Sequence, residues 1–420
     1  MTPALRHRST RRGFTLVELM VAVTGGLFIS LAVFALASDA SRFYRQESRI
    51  SDANMNALVG FERLRNDIAR AGFLSTPNVR RDPRLCGNPI ADPSWPAELT
   101  RLASLRIEQG GSPPNATLTA NGLTPDRLTL SGSYSSVDEF PVWNVQDDGA
   151  NFNVYLQRNT GPLARLGYNN PATNQVDLLN SVFGAGRALR IVDQAGEIQF
   201  GTIVGVGGGN TPHVILSRNP ILRFRQGAGN VCGLKGNVTG AMVNVVNIVR
   251  YDLRNLSGNP AYAAAYTDAA ETQWQADRTE LARVELDTTG SPIQGTEELV
   301  AELAVDFKLG ITVVNNVLNG TDPTLETYVP GDAQIANYTA DVTSLTNPNQ
   351  GPQRVRSVRV RFSVRSRLPD RDAPIVGASG TPVAPGLYRI GLGAGATTPF
   401  ARVRTLQADV TLNNQVGTLW

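Results

Sequence analysis

Glu18 is the only ionisable side chain between residues 14 and 37, in a run that begins Phe14-Thr15-Leu16-Val17-Glu18-Leu19-Met20 and stays apolar thereafter. On an insertion scale an acid in such a run costs about 2 to 3 kcal/mol unless something pairs with it, so Glu18 needs a partner. Just before it, Arg11-Arg12-Gly13 closes a stretch that also holds Arg6 and Arg8 and contains no acid. Gly13 has no side chain and accepts most backbone angles, which suits a flexible hinge ahead of the run.

The other candidate chemistry is sparse. Cys86 and Cys232 are the only cysteines and are not spaced as metal ligands. They form either one long-loop disulfide or two buried thiols, and an exported chain favours the disulfide. His7 and His213 are the only histidines, so no histidine cluster for zinc exists. Asp147-Asp148-Gly149-Ala150-Asn151 could offer oxygens to calcium but lacks the ligand order and closing Glu of an EF-hand loop, and reads as a polar turn. Gly205 and Gly207-Gly208-Gly209 have no phosphate-loop context and read as turns. Arginines at 354, 356, 359, 361, 365, 367 and 371 form the strongest local charge feature. A solvated sheet face or a subunit contact explains them, and the lack of interleaved aromatics on that face argues against nucleic acid. No G-x-S-x-G or HExxH motif is present, and acid pairs such as Glu297-Glu298 have no supporting cleft signal. The sequence implies neither an enzyme nor a cofactor.

The elements that position Glu18 come next. Residues 14–37 make roughly 36 Å of helix, enough to cross a hydrocarbon core of about 30 Å. The arginines before the run place the N-terminus in the cytoplasm and the bulk of the chain outside. An ordinary secretory signal cut near Ala35-Leu36-Ala37, or an uncleaved anchor, also fits the hydropathy, but neither accounts for Glu18. No proline occurs from Phe14 until Pro77, and Leu58, Phe61, Leu64 and Ile68 recur at helical spacing between the polar Glu62, Arg63, Arg65, Asn66 and Asp67. The helix therefore continues past the membrane with one apolar stripe and ends near Gly72, which is available for a left-handed cap. Gly25-Gly26 interrupts helix propensity inside the apolar half, serving either close packing or local melting on assembly.

After the helix, Pro77, Pro83, Pro89, Pro93 and Pro96 mark a loop-rich stretch around Cys86. Strands are expected over 127–130, 152–157, 197–206, 213–217 and 243–252. Three later segments alternate cleanly: Val305, Phe307, Leu309, Ile311 and Val313; Val358, Val360, Phe362 and Val364; and Leu406, Ala408, Val410 and Leu412. They predict an antiparallel sheet with one apolar face, covered by the stripe of the first helix. The fold class is thus α+β, a long N-terminal helix packed on an antiparallel head with a large β-rich insertion. The expected division is a leader over 1–13, the helix over 14–71, a loop-rich β region over 72–290 and a C-terminal sheet region over 291–420. With 40 Gly, 25 Pro and only 18% charged residues in 420, short strands on long connections suit the composition. The formal charge of +3 resides largely in the leader: without residues 1–13, 35 basic side chains face 36 acidic ones.

The N-terminal stretch resembles the class III signal of type IV prepilins, with Gly13 last in the leader, Phe14 first in the mature chain and Glu18 the acid at the fifth mature position. Segments 64–73, 249–253, 298–307, 355–367 and 403–412 resemble minor pilins of the PilW type, with the J-type minor pseudopilins of type II secretion as relatives. The resemblance implies cleavage after Gly13, whose bare backbone suits an extended fit in a peptidase at the membrane surface, and N-methylation at Phe14 by that prepilin peptidase, with the Glu18 carboxylate of a neighbouring chain neutralising the new Phe14 amine and fixing axial register. It further implies insertion in the inner-membrane lipid bilayer with a periplasmic head, and contact with the assembly platform. It also implies that other minor pilins and the major pilin are partners in priming or capping a type IV pilus. So large a head is awkward to repeat along a rod, which favours low copy number at a base or tip. A type II secretion pseudopilin, a tip subunit for adhesion or DNA uptake, and an anchored enzyme are the alternatives.

Overall fold

The computed structural model describes residues 15–170, 172–223, 233–234, 240–266, 278–315, 322–339, 347, 349–367, 387–390 and 400–417. The chain forms two compact units, 1–52 and 53–420. Helix α1, Leu16–Arg70, runs unbroken through 55 residues, as expected of a segment without proline.

In the second unit the described residues form two antiparallel sheets. The larger holds β1 (Leu105–Glu108), β2 (Arg127–Gly132), β3 (Phe140–Asp147), β4 (Phe152–Leu156), β5 (Ala188–Val192), β6 (Ile198–Gly207), β7 (His213–Leu216), β8 (Met242–Arg254), β9 (Glu280–Leu286) and β10 (Glu298–Ala301). Strand β8 organises it. Its first half pairs with β3 on one edge and β5 on the other, and β3-β4-β7-β6-β5 returns to it, so the sheet curls back on itself. Its second half lies between β2 and β9. The smaller sheet runs in the order β12 (Thr324–Tyr328), β11 (Ala304–Asn315), β13 (Val355–Arg365), β15 (Phe400–Thr411), β14 (Leu387–Arg389). Its three central strands are the three alternating segments of the sequence, and the five strands expected earlier correspond to β2, β4, β6, β7 and β8. The sheets adjoin between Ala301 and Ala304.

The last turns of α1 bury Ala53, Ala57, Phe61, Leu64 and Ile68, joined by Ala71 just past its end, in one core with Leu105, Ile107, Leu128, Leu130, Val249 and Tyr251 of the first sheet and Phe307, Leu309, Val360 and Phe362 of the second. Two expectations are corrected here. Leu58 is 47% exposed, because alanines at 53 and 57 complete the buried stripe instead. Asp67, expected on the wet face, is only 2% exposed. Small residues set the approach of helix and sheet: a Cβ on Gly60 would come within 2.6 Å of Ala301 Cβ and 2.7 Å of the Val300 carbonyl. At the end of α1, Gly72 has φ +77° and donates to Ser131 O at 2.7 Å, the left-handed cap its position predicts.

A buried polar knot holds the sheets where they adjoin. Leu303 has φ +57°, a conformation disfavoured for a branched side chain, and its N–H donates to Glu280 Oε2 at 2.6 Å. Glu280 also accepts from Arg278 and from the Tyr266 hydroxyl. Burial outweighs these contacts and pushes the Glu280 carboxyl up from 4.5 to about 7. A native acid that binds its proton more tightly than the unfolded chain stabilises most below pH 4.5, and this contribution is lost as pH rises through about 7. The difference is about 3 kcal/mol. Urea unfolding at pH 5 and 7.5 is expected to show lower stability at the higher pH, with the slope flattened in Glu280→Gln. An unchanged slope in that variant refutes the assignment.

Candidate functional site: the N-terminal helix

Within α1, Leu16–Ser41 is 26 residues long and its most apolar 18-residue window has a mean hydropathy of 2.4, long and apolar enough to cross a membrane. Its apolar side chains point outward all round: Leu16, Phe28, Phe34 and Leu36 are each 73–74% exposed within the isolated chain. A helix apolar on every face is one meant for lipid or for a protein assembly. Gly25 and Gly26 lie within continuous helix, and a Cβ on either would meet nothing within 4 Å. Thr24 turns its hydroxyl back to the Met20 carbonyl at 2.8 Å, so the span exposes no unpaired hydroxyl there.

Glu18 has a partner that charge and hydropathy alone do not show. Thr15 N–H and the Thr15 hydroxyl both donate to Glu18 Oε2 at 2.9 Å, while Glu18 N–H donates to Thr15 Oγ1 at 3.3 Å. This is a reciprocal capping box, with Thr15 at the N-cap and Glu18 three residues on. It was legible as Thr-x-x-Glu before an apolar run. The acid thus faces the positive end of the helix dipole and satisfies otherwise orphaned amide donors. One carboxylate oxygen, Oε1, makes no hydrogen bond to the described residues. Gly13 and Phe14 lie outside the described residues.

Residues 8–24 match the prokaryotic N-terminal methylation motif. No curated protein matches the chain significantly, and neither does any solved structure. The chain therefore carries a type IV pilin-like methylation motif at the head of a membrane-length helix, followed by a large antiparallel β head, the combination found in the broad class of pilins and pseudopilins.

The remaining candidates fall as follows. Cys86 is buried and is not a free thiol; Cys232 lies outside the described residues. Among the described residues no group of three His, Cys, Asp or Glu side chains could hold a metal ion. Asp147 and Asp148 close the β3–β4 hairpin, accepting from Gly149 N and from Ala150 N, each at 2.9 Å. Gly208 and Gly209 lie between strands, but Gly205 and Gly207 belong to β6 itself, and at Gly207 the His213 ring on β7 occupies the space a Cβ would need.

The arginine row is not one solvated face. Arg354 and Arg365 are buried, at 0% and 4% exposure, and Arg365 donates to Ser366 O and Arg367 O at 3.0 and 3.3 Å. Arg356 donates to Gln353 O. Arg359 makes a two-pronged contact with Asp409 on β15, at 2.8 and 2.9 Å, and Arg361 reaches Asp306 on β11 at 2.9 Å. Antiparallel register sets acids from neighbouring strands beside these arginines, and no alternation within β13 could announce that. Arg371 lies outside the described residues.

A second constellation escaped the sequence entirely. In the second unit, Asp67 Oδ2 accepts from Arg283 Nε at 2.8 Å and from the Tyr251 hydroxyl at 2.7 Å, and the Asp67 carbonyl accepts from the Tyr134 hydroxyl at 2.9 Å. Burial, then the Asp67 charge, raises the Tyr251 phenol well above its ordinary value, which keeps it a donor. Arg63 and Arg283 also both lie near Glu298, at 3.3 and 3.6 Å. The end of α1 is thereby pinned by charge as well as by apolar contact. The only hint was that Asp67 follows Gly60 and Leu64 at the stripe's own spacing.

Proposed function

We propose that this chain is a non-enzymatic minor pilin of the PilW type that joins other minor pilins to prime or cap a type IV pilus. Leu16–Ser41 inserts it once in the bacterial inner membrane, N-terminus cytoplasmic and head periplasmic. A prepilin peptidase cuts after Gly13 and methylates the new amine at Phe14. Extraction by the assembly platform then moves the helix from lipid into a filament core with the major pilin. The observation that carries this reading is the methylation motif over residues 8–24 set directly on a membrane-length helix, in whose apolar run over 14–37 the one acid is Glu18. The size of the head supports low copy number at the base or tip. An oxidising periplasm supports a Cys86–Cys232 disulfide.

The test is the mature N-terminus, read by mass spectrometry in cells with and without the peptidase. The expected result is N-methylated Phe14, appearing only when the peptidase is present, with Cys86 and Cys232 recovered as one linked peptide under non-reducing conditions. A terminus at Ser38 independent of that peptidase would remove Glu18 from the mature protein and refute the proposal.

A further inference from the structure

We propose that the outer face of the curled sheet binds a neutral glycan through a row formed by Trp143, Tyr155 and His213. The three rings lie on adjacent strands β3, β4 and β7, with centroids 5.5 Å apart between Trp143 and Tyr155 and 5.1 Å apart between Tyr155 and His213. Two local devices build the row. The β3–β4 register slips between Val142 and Asn144, so Trp143 is the extra residue of a bulge, a feature that re-aims a side chain out of the regular pleat. At the other end His213 faces Gly207 on β6, and its ring lies where any Cβ would be, the nearest atom at 2.1 Å. Only glycine lets the imidazole lie down against that strand.

The chemistry of the row selects its ligand. Trp143 is 43% exposed, and its indole N–H and the Tyr155 hydroxyl make no hydrogen bond to the described residues. Asn144, in register with Tyr155, and Gln146 beside it on β3 likewise leave their side-chain amides without a partner among the described residues. His213 Nδ1 lies 2.9 Å from the Thr211 carbonyl; a carbonyl only accepts, so Nδ1 carries a proton. Apolar ring faces with polar tips beside free amides match a molecule with an apolar C–H face and an equatorial fringe of hydroxyls, which is a pyranose ring. No acid, lysine or arginine belongs to the row, and Asp147 at the end of β3 is paired with Arg218. That favours an uncharged ligand over a nucleic acid, whose phosphates need cations. Cross-strand aromatic pairs also stabilise a sheet on their own, so the test must separate binding from stability. This inference does not depend on the assembly role proposed above.

Full-length chain in a zwitterionic detergent, which carries no sugar headgroup, is titrated with cellotriose, chitotriose and maltotriose while tryptophan emission is followed. Saturable binding of at least one trisaccharide is expected, with affinity reduced at least about tenfold in Trp143→Ala and in Tyr155→Ala. The exposed control Leu325→Ala, on β12 of the other sheet, is expected to bind as the parent does. Thermal unfolding of Trp143→Ala is expected to match the parent closely, which separates lost contact from lost fold. No saturable binding up to about 10 mM, equal binding by Trp143→Ala, or binding of a proline-rich peptide instead of any trisaccharide would each overturn the proposal.

Discussion

Glu18→Ala is expected to leave the chain processed and inserted but to reduce its share of sheared filaments by about a hundredfold or more. In the single chain the Glu18 carboxylate accepts two hydrogen bonds from Thr15, both at Oε2, which leaves Oε1 for a second subunit. On the proposed reading, cleavage after Gly13 adds a cationic amine at Phe14, and in an apolar filament core that amine needs a carboxylate from its neighbour. Removing one partner of a desolvated ion pair leaves the other charge unpaired, at a cost of about 3 to 5 kcal/mol. Two further variants separate the cap from the charge. Thr15→Ala breaks the capping box, a loss of about 1 kcal/mol, but keeps the carboxylate, so incorporation is expected to remain near normal. Glu18→Gln keeps a hydrogen-bonding side chain without the charge and is expected to fail like Ala. Quantitative immunoblots of sheared and membrane fractions read all three. Glu18→Ala incorporated at the parental level would show that the acid only caps its own helix.

Asp67→Ala is expected to destabilise the second unit by about 3 to 5 kcal/mol in urea unfolding of the full chain. It removes the buried partner of the Arg283 guanidinium, which is only 7% exposed at its side chain and keeps only the more exposed Glu298 at 3.6 Å, and it removes the acceptor of the buried Tyr251 hydroxyl. Asp67→Asn keeps an acceptor for Tyr251 and is expected to cost less. Pairing Asp67→Ala with Arg283→Met removes the stranded cation, so the double variant is expected to be more stable than the sum of the two single losses. Strict additivity would mean that the two groups do not depend on each other. A loss of less than about 1 kcal/mol in Asp67→Ala, the range of an exposed surface pair, would show that solvent compensates at this site.

What the sequence determined by itself was whatever depends on near neighbours along the chain. The membrane-length helix follows from an unbroken apolar run, its first turn from Thr15 and Glu18 three residues apart, and its end from Gly72. Strands β11, β13 and β15 alternate because each has one buried face and one wetter one. Strand β9 hid for the opposite reason. It is buried along its whole length, and Glu280, Arg283 and Glu285 make its sequence look solvated. Glu280 has Arg278 two residues away, but the nearest partners of the other two are remote: Asp67 for Arg283, 216 residues away, and Arg187 for Glu285, 98 residues away. The same distance concealed the acids beside Arg359 and Arg361, and it concealed the aromatic row, whose three members come from three separate strands. Local hydrogen bonds and periodicity are written in order along the chain. Strand order and register decide which distant charges and rings meet, and only the folded head supplies those.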